Sequence, residues 1–441
     1  MRRYIVHQKE NATIFSTLSI FIILFVYIFA FFLGPVSSSL ILGVVFWIYS
    51  LFNRKFLKTC FRVIQTKLIL RLFKYWIIIV IFGLFFSIIY CTFDYSLLSI
   101  YFTQILHYIA AVPVLAYLTY KKYTASEIEK SFISVFAVQT FIQLIAASIP
   151  SLRQAMFAFN HFDPTSVSGM GDNFRGSALA AATTYHLSLA YGIAFIIYVK
   201  HYFIKKINSK IIILGIIIFA GIFCAGRSGF VGCIIAIIGY VFIPNKYLKT
   251  SKSKAIIKVI ILSIVLSIAL LSTLAIIAPD FYEMLNTYIL PYAFEFIYNQ
   301  QNGGQMETAS TNRLMEMWGE DFNYIELLIG SGHFTNPDGS YYMHVDPGIL
   351  RHLLFFGIVG YVLIIYYQYL AIPYFRMKNP DKYFCRLIYI FILVMDFKGL
   401  TAGGNKFMIF IPLLLAYTYL YLPSKTTLKN ENTISHSLPS Q

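Results

Sequence analysis

Long apolar runs separated by short polar stretches set the pattern of this chain. A helix needs about 20 apolar residues to cross about 30 Å of hydrocarbon. On that scale the runs predict about twelve spans, near 14–33, 36–52, 75–93, 96–120, 131–150, 177–199, 207–225, 229–245, 256–278, 347–373, 385–397 and 406–422. The seventh and eighth could form one helix through Ile211–Ile243. A single crossing there would put the lysines of Lys246–Lys258 on the wrong side, so a break at Gly226-Arg227-Ser228-Gly229 is expected.

Charge orients these spans. Of the 35 Lys and Arg, all but Arg153, Arg175, Arg227, Arg313, Arg351, Lys398 and Lys406 fall on one side when the spans alternate. The acids lean the other way. This is the positive-inside pattern, and it places both termini in the cytoplasm. With 58% hydrophobic and 12% charged residues, against roughly 25% charged in soluble proteins, a soluble domain is excluded. The net charge of +16 does not point to nucleic acid, because it lies in short loops and builds no continuous patch. Anionic lipid headgroups are its natural partner. The five cysteines form neither a disulfide framework nor a metal pattern and read as small buried apolar groups. The first apolar run is long enough to remain as a span, so no cleavable signal is expected.

The expected architecture is a single all-α transmembrane domain over 1–422 with a polar cytoplasmic tail at 423–441, which reads as disordered. Gly34–Ser38 and Thr92–Tyr95 read as simple outer turns. Two outer loops are larger, at about 151–176 and 279–346, which suggests work at the outer face. No internal repeat supports an inverted-repeat transporter. In the larger loop Leu314, Trp318, Phe322, Ile325 and Ile329 recur at helical spacing. They predict an amphipathic helix over 313–329, capped by Thr311 or Asn312 and stopped by Gly330 and Gly332. Between Pro279 and Asp338 that loop is acidic, and Arg313 is its one base.

The outer arginines carry the candidate chemistry. A cation near the bilayer core costs about 2.5–3.5 kcal/mol on insertion scales and usually faces a cavity or a partner. Guanidinium matches phosphate oxygens two at a time, so Arg175, Arg227, Arg313 and Arg351 are candidate pyrophosphate ligands. The bland alternative is local pairing, such as Arg175 with Asp172. At Arg227 the Gly-Arg-Ser-Gly break can expose amides at the start of the next helix, which is an anion site; a tight turn reaching headgroups is the alternative. His344 and Asp346 stand at the junction of the large loop with the tenth span. His344 could shuttle a proton, and Asp346 could orient it or act as the base. Arg351 and His352 follow at membrane depth, where headgroup anchoring is the plain reading. His333 sits in a Gly-Ser-Pro-rich turn. Gln104, His107, Gln139, Gln143 and His186 fall inside spans and read as interhelical hydrogen-bonding groups; Asp396 and Lys398 read as a mutual pair. There is no P-loop, no zinc-type cluster, no Asp-x-Asp motif, and no inner loop long enough for a nucleotide-sugar domain.

One order of motifs stands out: Arg313, Trp318, Gly330-Ser-Gly332, His344, then Gly357-Ile-Val-Gly360 entering a span, preceded by Gly226-Arg-Ser-Gly229. This resembles the O-antigen polymerase and ligase superfamily. The resemblance implies a polytopic enzyme of the bacterial inner membrane that joins undecaprenyl-pyrophosphate-linked oligosaccharide repeat units of O-antigen or capsular polysaccharide at the outer face. It implies His344 and Asp346 as catalytic groups, the four arginines on pyrophosphate, and Trp318, His333 and His352 on glycan. It implies no metal or soluble cofactor, and it brings a chain-length regulator and a flippase as partners. Asp346, where the ligases usually carry Asn after the His, favours polymerase over ligase. A flippase or transporter of the same lipid-linked unit is the remaining alternative.

Overall fold

The computed structural model describes residues 2–161, 178–182, 184–204, 208–248, 279–301 and 307–423, with scattered positions between 252 and 276. Among the described residues 78% are helical. The first half comprises α1 (Arg2–Phe29), α2 (Ser38–Phe52), α3 (Arg54–Ile64), α4 (Lys67–Ile89), α5 (Ser96–Tyr120), α6 (Ala125–Ser148), α7 (Pro150–Phe159), α8 (Tyr185–Tyr198), α9 (Ser209–Ala225) and α10 (Gly229–Phe242). Then follow α11 (Pro279–Met284), α12 (Leu290–Ala293), α13 (Glu295–Gln301), α14 (Ala309–Trp318), α15 (Tyr324–Ile329), α16 (Gly348–Ala371), α17 (Asp381–Asp396) and α18 (Phe407–Tyr421). A two-residue ribbon pairs Phe32–Leu33 antiparallel with Val36–Ser37.

Among the described residues four helices are long and apolar enough to cross a bilayer: α4, α5, α6 and the stretch Gly348–Arg376. Shorter apolar helices include Ser16–Phe29, α2, α9, α10 and α18. The chain is an all-α, membrane-embedded protein. Sequence and structure agree on the break between α9 and α10. They differ at the basic segment after α2. There Asn53 accepts the Phe56 amide at 3.0 Å and starts α3. This helix buries Phe56, Cys60 and Val63 while leaving Arg54, Lys55, Lys58 and Arg62 exposed, the two-faced profile of a helix lying in the membrane interface. Thr66 caps α4, so Lys67, Arg71 and Lys74 belong to a helix rather than to a loop. Most of the predicted ninth span, residues 162–177 of the first large loop and the tail from 424 lie outside the described residues.

Small residues let the helices approach closely, as lipid-solvated helices require. At the α8–α10 crossing a Cβ on Gly232 would stand 2.5 Å from Gly192 Cα. Interhelical hydrogen bonds add to this: Tyr191 Oη donates to Gln143 Oε1 at 2.7 Å and Tyr367 Oη to Gln104 Oε1 at 3.3 Å. Gln139, expected to do the same, has neither amide atom partnered. At the end of the bundle where α6 and α17 begin and α8 and α18 finish, a buried ion cluster forms. Glu129 contacts Lys200 and His201 Nδ1 (2.6 Å), Lys200 also meets Asp381 at 2.7 Å, and Tyr419 Oη donates to Glu129 at 2.9 Å. Lys200 follows directly on the predicted sixth span, and these acids draw it inside.

Candidate functional site

At the opposite end of the bundle, segment 330–346 is docked onto the first turns of α16, and glycine geometry fixes how. Gly357 interrupts α16 at φ +68°, ψ −174°, a conformation open essentially to glycine alone. Gly330 lies against it at φ +82°. The break frees carbonyls that the docked segment then uses: Ser331 N–H donates to Leu354 O at 2.6 Å and Gly332 N–H to Phe355 O at 3.2 Å. The Gly-x-Gly and Gly-x-x-Gly elements noted in sequence are therefore two halves of one joint.

A second clamp comes from Asp94 in the α4–α5 turn. Its Oδ2 accepts the amides of Phe334 and Thr335, both at 2.7 Å, and its Oδ1 accepts that of Ser96 at 2.9 Å. Burial pushes this carboxyl up, but the amide donors of Ser96, Phe334 and Thr335 outweigh it and hold the group below the ordinary carboxylate range. Thr92 Oγ1 adds a bond to Gly332 O at 2.8 Å. Thr335 and Tyr341 pair across the loop.

Arg351 occupies the slot this loop creates. Its guanidinium carbon lies 3.5 Å from the Tyr341 ring centroid and 4.0 Å from that of Phe334. It is 6% exposed, Nε has no hydrogen-bond partner, and the Asp346 carboxylate acts on it electrostatically. Cation–π contacts of this kind contribute about 0.5–2 kcal/mol each. Arg351 thus organises the loop from below. His352 is 0% exposed, with Nδ1 2.8 Å from Gly348 O and Nε2 3.4 Å from Tyr101 Oη. That corrects its assignment to glycan: a fully enclosed imidazole cannot touch a surface ligand, and His352 anchors the helix start instead. His333 stacks on Tyr342 at 5.1 Å.

His344 and Asp346 are both exposed. Met343 (φ +52°) and His344 (φ +56°) form consecutive left-handed residues, neither of them glycine. Each costs about 1–2 kcal/mol, and the docked loop on both sides holds them there. Backbone strain of this sort gathers where a side chain must be presented.

The expected helix over 313–329 is in fact two, and this is a correction. Thr308 caps α14 through the Thr311 amide (3.1 Å), replacing the predicted Thr311 or Asn312 caps. α14 ends at Gly319, and Asn323 accepts the Ile325 amide at 3.0 Å to start α15. The two-piece form lets α14 run between site residues. At its first turn, Ser310 Oγ accepts from Arg227 Nη2 at 3.3 Å, while Glu295 accepts from Arg227 Nη1 at 2.5 Å and from the Ala309 amide at 3.0 Å. Arg313 is exposed one turn on. Toward its end, Met317 packs with Val345 and Leu350, and its Sδ receives the Asp346 amide at 3.4 Å. Ser310 and Met317 are about 10 Å apart along the axis at about 1.5 Å per residue. Trp318 is half-buried; its ring lies 5.6 Å from that of Phe397 and Nε1 donates to Phe397 O at 3.3 Å.

Of the six groups singled out for catalysis or pyrophosphate binding, Arg227, Arg313 and Asp346 thus meet α14, and Arg351 lies on α16 beneath the docked loop. His344 sits on the strained turn beside Asp346. Arg175 lies outside the described residues. At the Gly-Arg-Ser-Gly break the Gly229 and Phe230 amides bond to Gly226 and Arg227 carbonyls, so those two are not free for an anion, as had been expected. Sequence reasoning missed Asp94 and Glu295. Asp94 is the first acid after Glu10, in an otherwise acid-free stretch, and that isolation was the available signal. Glu295 carried none among the other loop acids. No protein-family model, curated protein or solved structure matches the chain.

Proposed function

We propose that this protein is a polysaccharide polymerase of the O-antigen polymerase type. It would join undecaprenyl-pyrophosphate-linked repeat units at the outer face of the bacterial inner membrane, with both termini in the cytoplasm. The observation that carries the reading is the placement along α14 of Arg313 itself, of Arg227 through Ser310 and of Asp346 through Met317, at the end of the bundle that holds the docked loop, with Arg351 buried beneath that loop. A hydroxyl at the nonreducing end of one unit attacks the anomeric carbon of the growing chain on another. The bond from that carbon to the pyrophosphate oxygen breaks, and undecaprenyl pyrophosphate leaves with the electron pair. His344 or Asp346 takes the hydroxyl proton. Negative charge grows on the leaving diphosphate, so fixed cations give the largest help. Arg313 is open to it, and Arg227 reaches it by exchanging Glu295 for phosphate. Arg175 is a third ligand on the same expectation. Arg351, sandwiched between rings, supports the loop and the Asp346 carboxylate. The tyrosine-rich 341–342 stretch with Trp318 and His333 flanks the glycan.

Deleting the gene tests this. A polymerase loss leaves surface glycan of a single repeat unit. Polymer still held on the lipid carrier would mean a ligase, and no surface glycan at all would mean a flippase.

A further inference from the structure

A second pocket lies at this same end of the bundle, separate from α14. It is an open cavity of about 240 Å³ lined by Asn160, His161, Thr184, Tyr185 and His186. Lys406, at the start of α18, lies outside that lining and is tied to it through the Phe32 ring. Its Nζ lies 4.8 Å from the Phe32 ring centroid, and the His161 ring packs 5.3 Å from that same ring. The ammonium is within electrostatic reach of His186 and also of His107. No carboxylate among the described residues acts on Lys406. A half-buried cation normally finds an acid, as Lys200 and Arg227 do in this chain; one placed among imidazoles beside a cavity is set for an anion that arrives from outside. Asn160 adds a second chemistry. Its Nδ2 donates to the Ala178 carbonyl, while Oδ1, on a side chain 6% exposed, has no partner. An orphaned acceptor at the pocket wall suits a hydroxyl donor.

The two candidate sites are joined by one short stretch of chain. Tyr185 Oη donates to Met395 O at 2.7 Å, and Phe397 takes the Trp318 indole N–H. A polymerising reaction needs two lipid-linked chains together, each bearing a diphosphate. The α14 cations serve one of them.

We propose that Lys406, His186 and His161 hold the phosphate of the second lipid-linked glycan, with Asn160 Oδ1 accepting a sugar hydroxyl next to it. The pairing of donor and acceptor in this inference rests on the polymerase reading. The anion site itself rests on the pocket lining, on the packing of Lys406 and His161 against Phe32, and on the reach of the Lys406 charge to His186.

The test is equilibrium binding to the full chain in phosphatidylcholine nanodiscs, with farnesyl diphosphate and inorganic pyrophosphate as probes. Wild type is expected to bind two diphosphates per chain. Lys406→Met removes one or weakens it about ten- to hundredfold, Lys406→Arg retains it, and Arg313→Ala affects only the other. His186→Gln, expected to weaken the same site, replaces Lys406→Met if that variant does not fold. Unchanged binding in Lys406→Met or His186→Gln overturns the proposal. So does competition by phosphatidylglycerol nanodiscs without binding of either diphosphate, which would mark an ordinary headgroup contact. Two sites falling to one in a chain that makes no polymer keeps the pocket and removes the polymerase reading. A single site in a chain that does polymerise does the reverse.

Discussion

Gly357→Ala is the sharpest single perturbation of the joint that carries the candidate site. Alanine at φ +68°, ψ −174° costs about 1–3 kcal/mol in backbone strain alone. Its Cβ would also stand 2.5 Å from Leu328 O and 2.6 Å from Ile329 C, and neither atom belongs to a flexible side chain. α15 must therefore move away. The Ser331–Leu354 and Gly332–Phe355 hydrogen bonds then go, at about 0.5–1.5 kcal/mol each. The sum is about 2–6 kcal/mol, concentrated on segment 330–346 because the rest of α16 packs elsewhere. Gly339→Ala is the matched control: its φ is +82°, yet a Cβ there meets nothing within 4 Å, so only the strain remains. Limited proteolysis of the purified protein reads the difference. Gly357→Ala is expected to open cleavage within 330–346 at least tenfold faster than Gly339→Ala, with glycan product lost and the bulk of the helices intact by circular dichroism. Equal cleavage rates in the two variants would refute the idea that the two glycine motifs form one joint.

Three further outcomes follow from the same geometry. Glu129→Ala leaves Lys200 with Asp381 alone and His201 without its carboxylate; breaking a buried pair from one side costs about 3–5 kcal/mol, and a thermal-melt loss under about 1 kcal/mol would contradict the cluster's structural role. Asp94→Asn loosens the loop by about 1–3 kcal/mol. Because the native carboxyl is held below its ordinary value, its contribution is fully present above about pH 4 and is lost as pH falls through the lowered folded value; proteolysis of wild type should approach that of Asp94→Asn only under such acid conditions. Glu295→Gln frees Arg227 from its carboxylate and should tighten diphosphate binding about fivefold, the equivalent of about 1 kcal/mol; weaker binding would show that Glu295 positions Arg227 instead of competing for it.

Sequence reasoning reached the helical class and the α9–α10 break, because apolar run length and the placement of lysines both act locally. It placed Arg227, Arg313, Asp346 and Arg351 among the candidates because a charge near the bilayer is conspicuous in any apolar chain. It could not see that α14 stops at Gly319, since hydrophobic spacing continues through Phe322 and Ile329 while the break depends on Asn323 capping a new helix. Nor could it separate Arg351 from Arg313: both are lone bases, and only the rings of Phe334 and Tyr341, set by Asp94 more than 200 residues away, make one interior and leave the other open. Lys406 shows the same limit, because what isolates it from acids is the packing of the Phe32 ribbon and α8 around it.

The central claim is chemical, and reconstitution tests it most directly. Purified protein in liposomes receives undecaprenyl-pyrophosphate-linked repeat units, with no nucleotide and no added metal. The account predicts a ladder of glycan lengths on the lipid carrier, one undecaprenyl pyrophosphate released per new linkage, and loss of both in Arg313→Ala and Asp346→Asn. Units that stay single, or ladders that persist in those two variants, would contradict it.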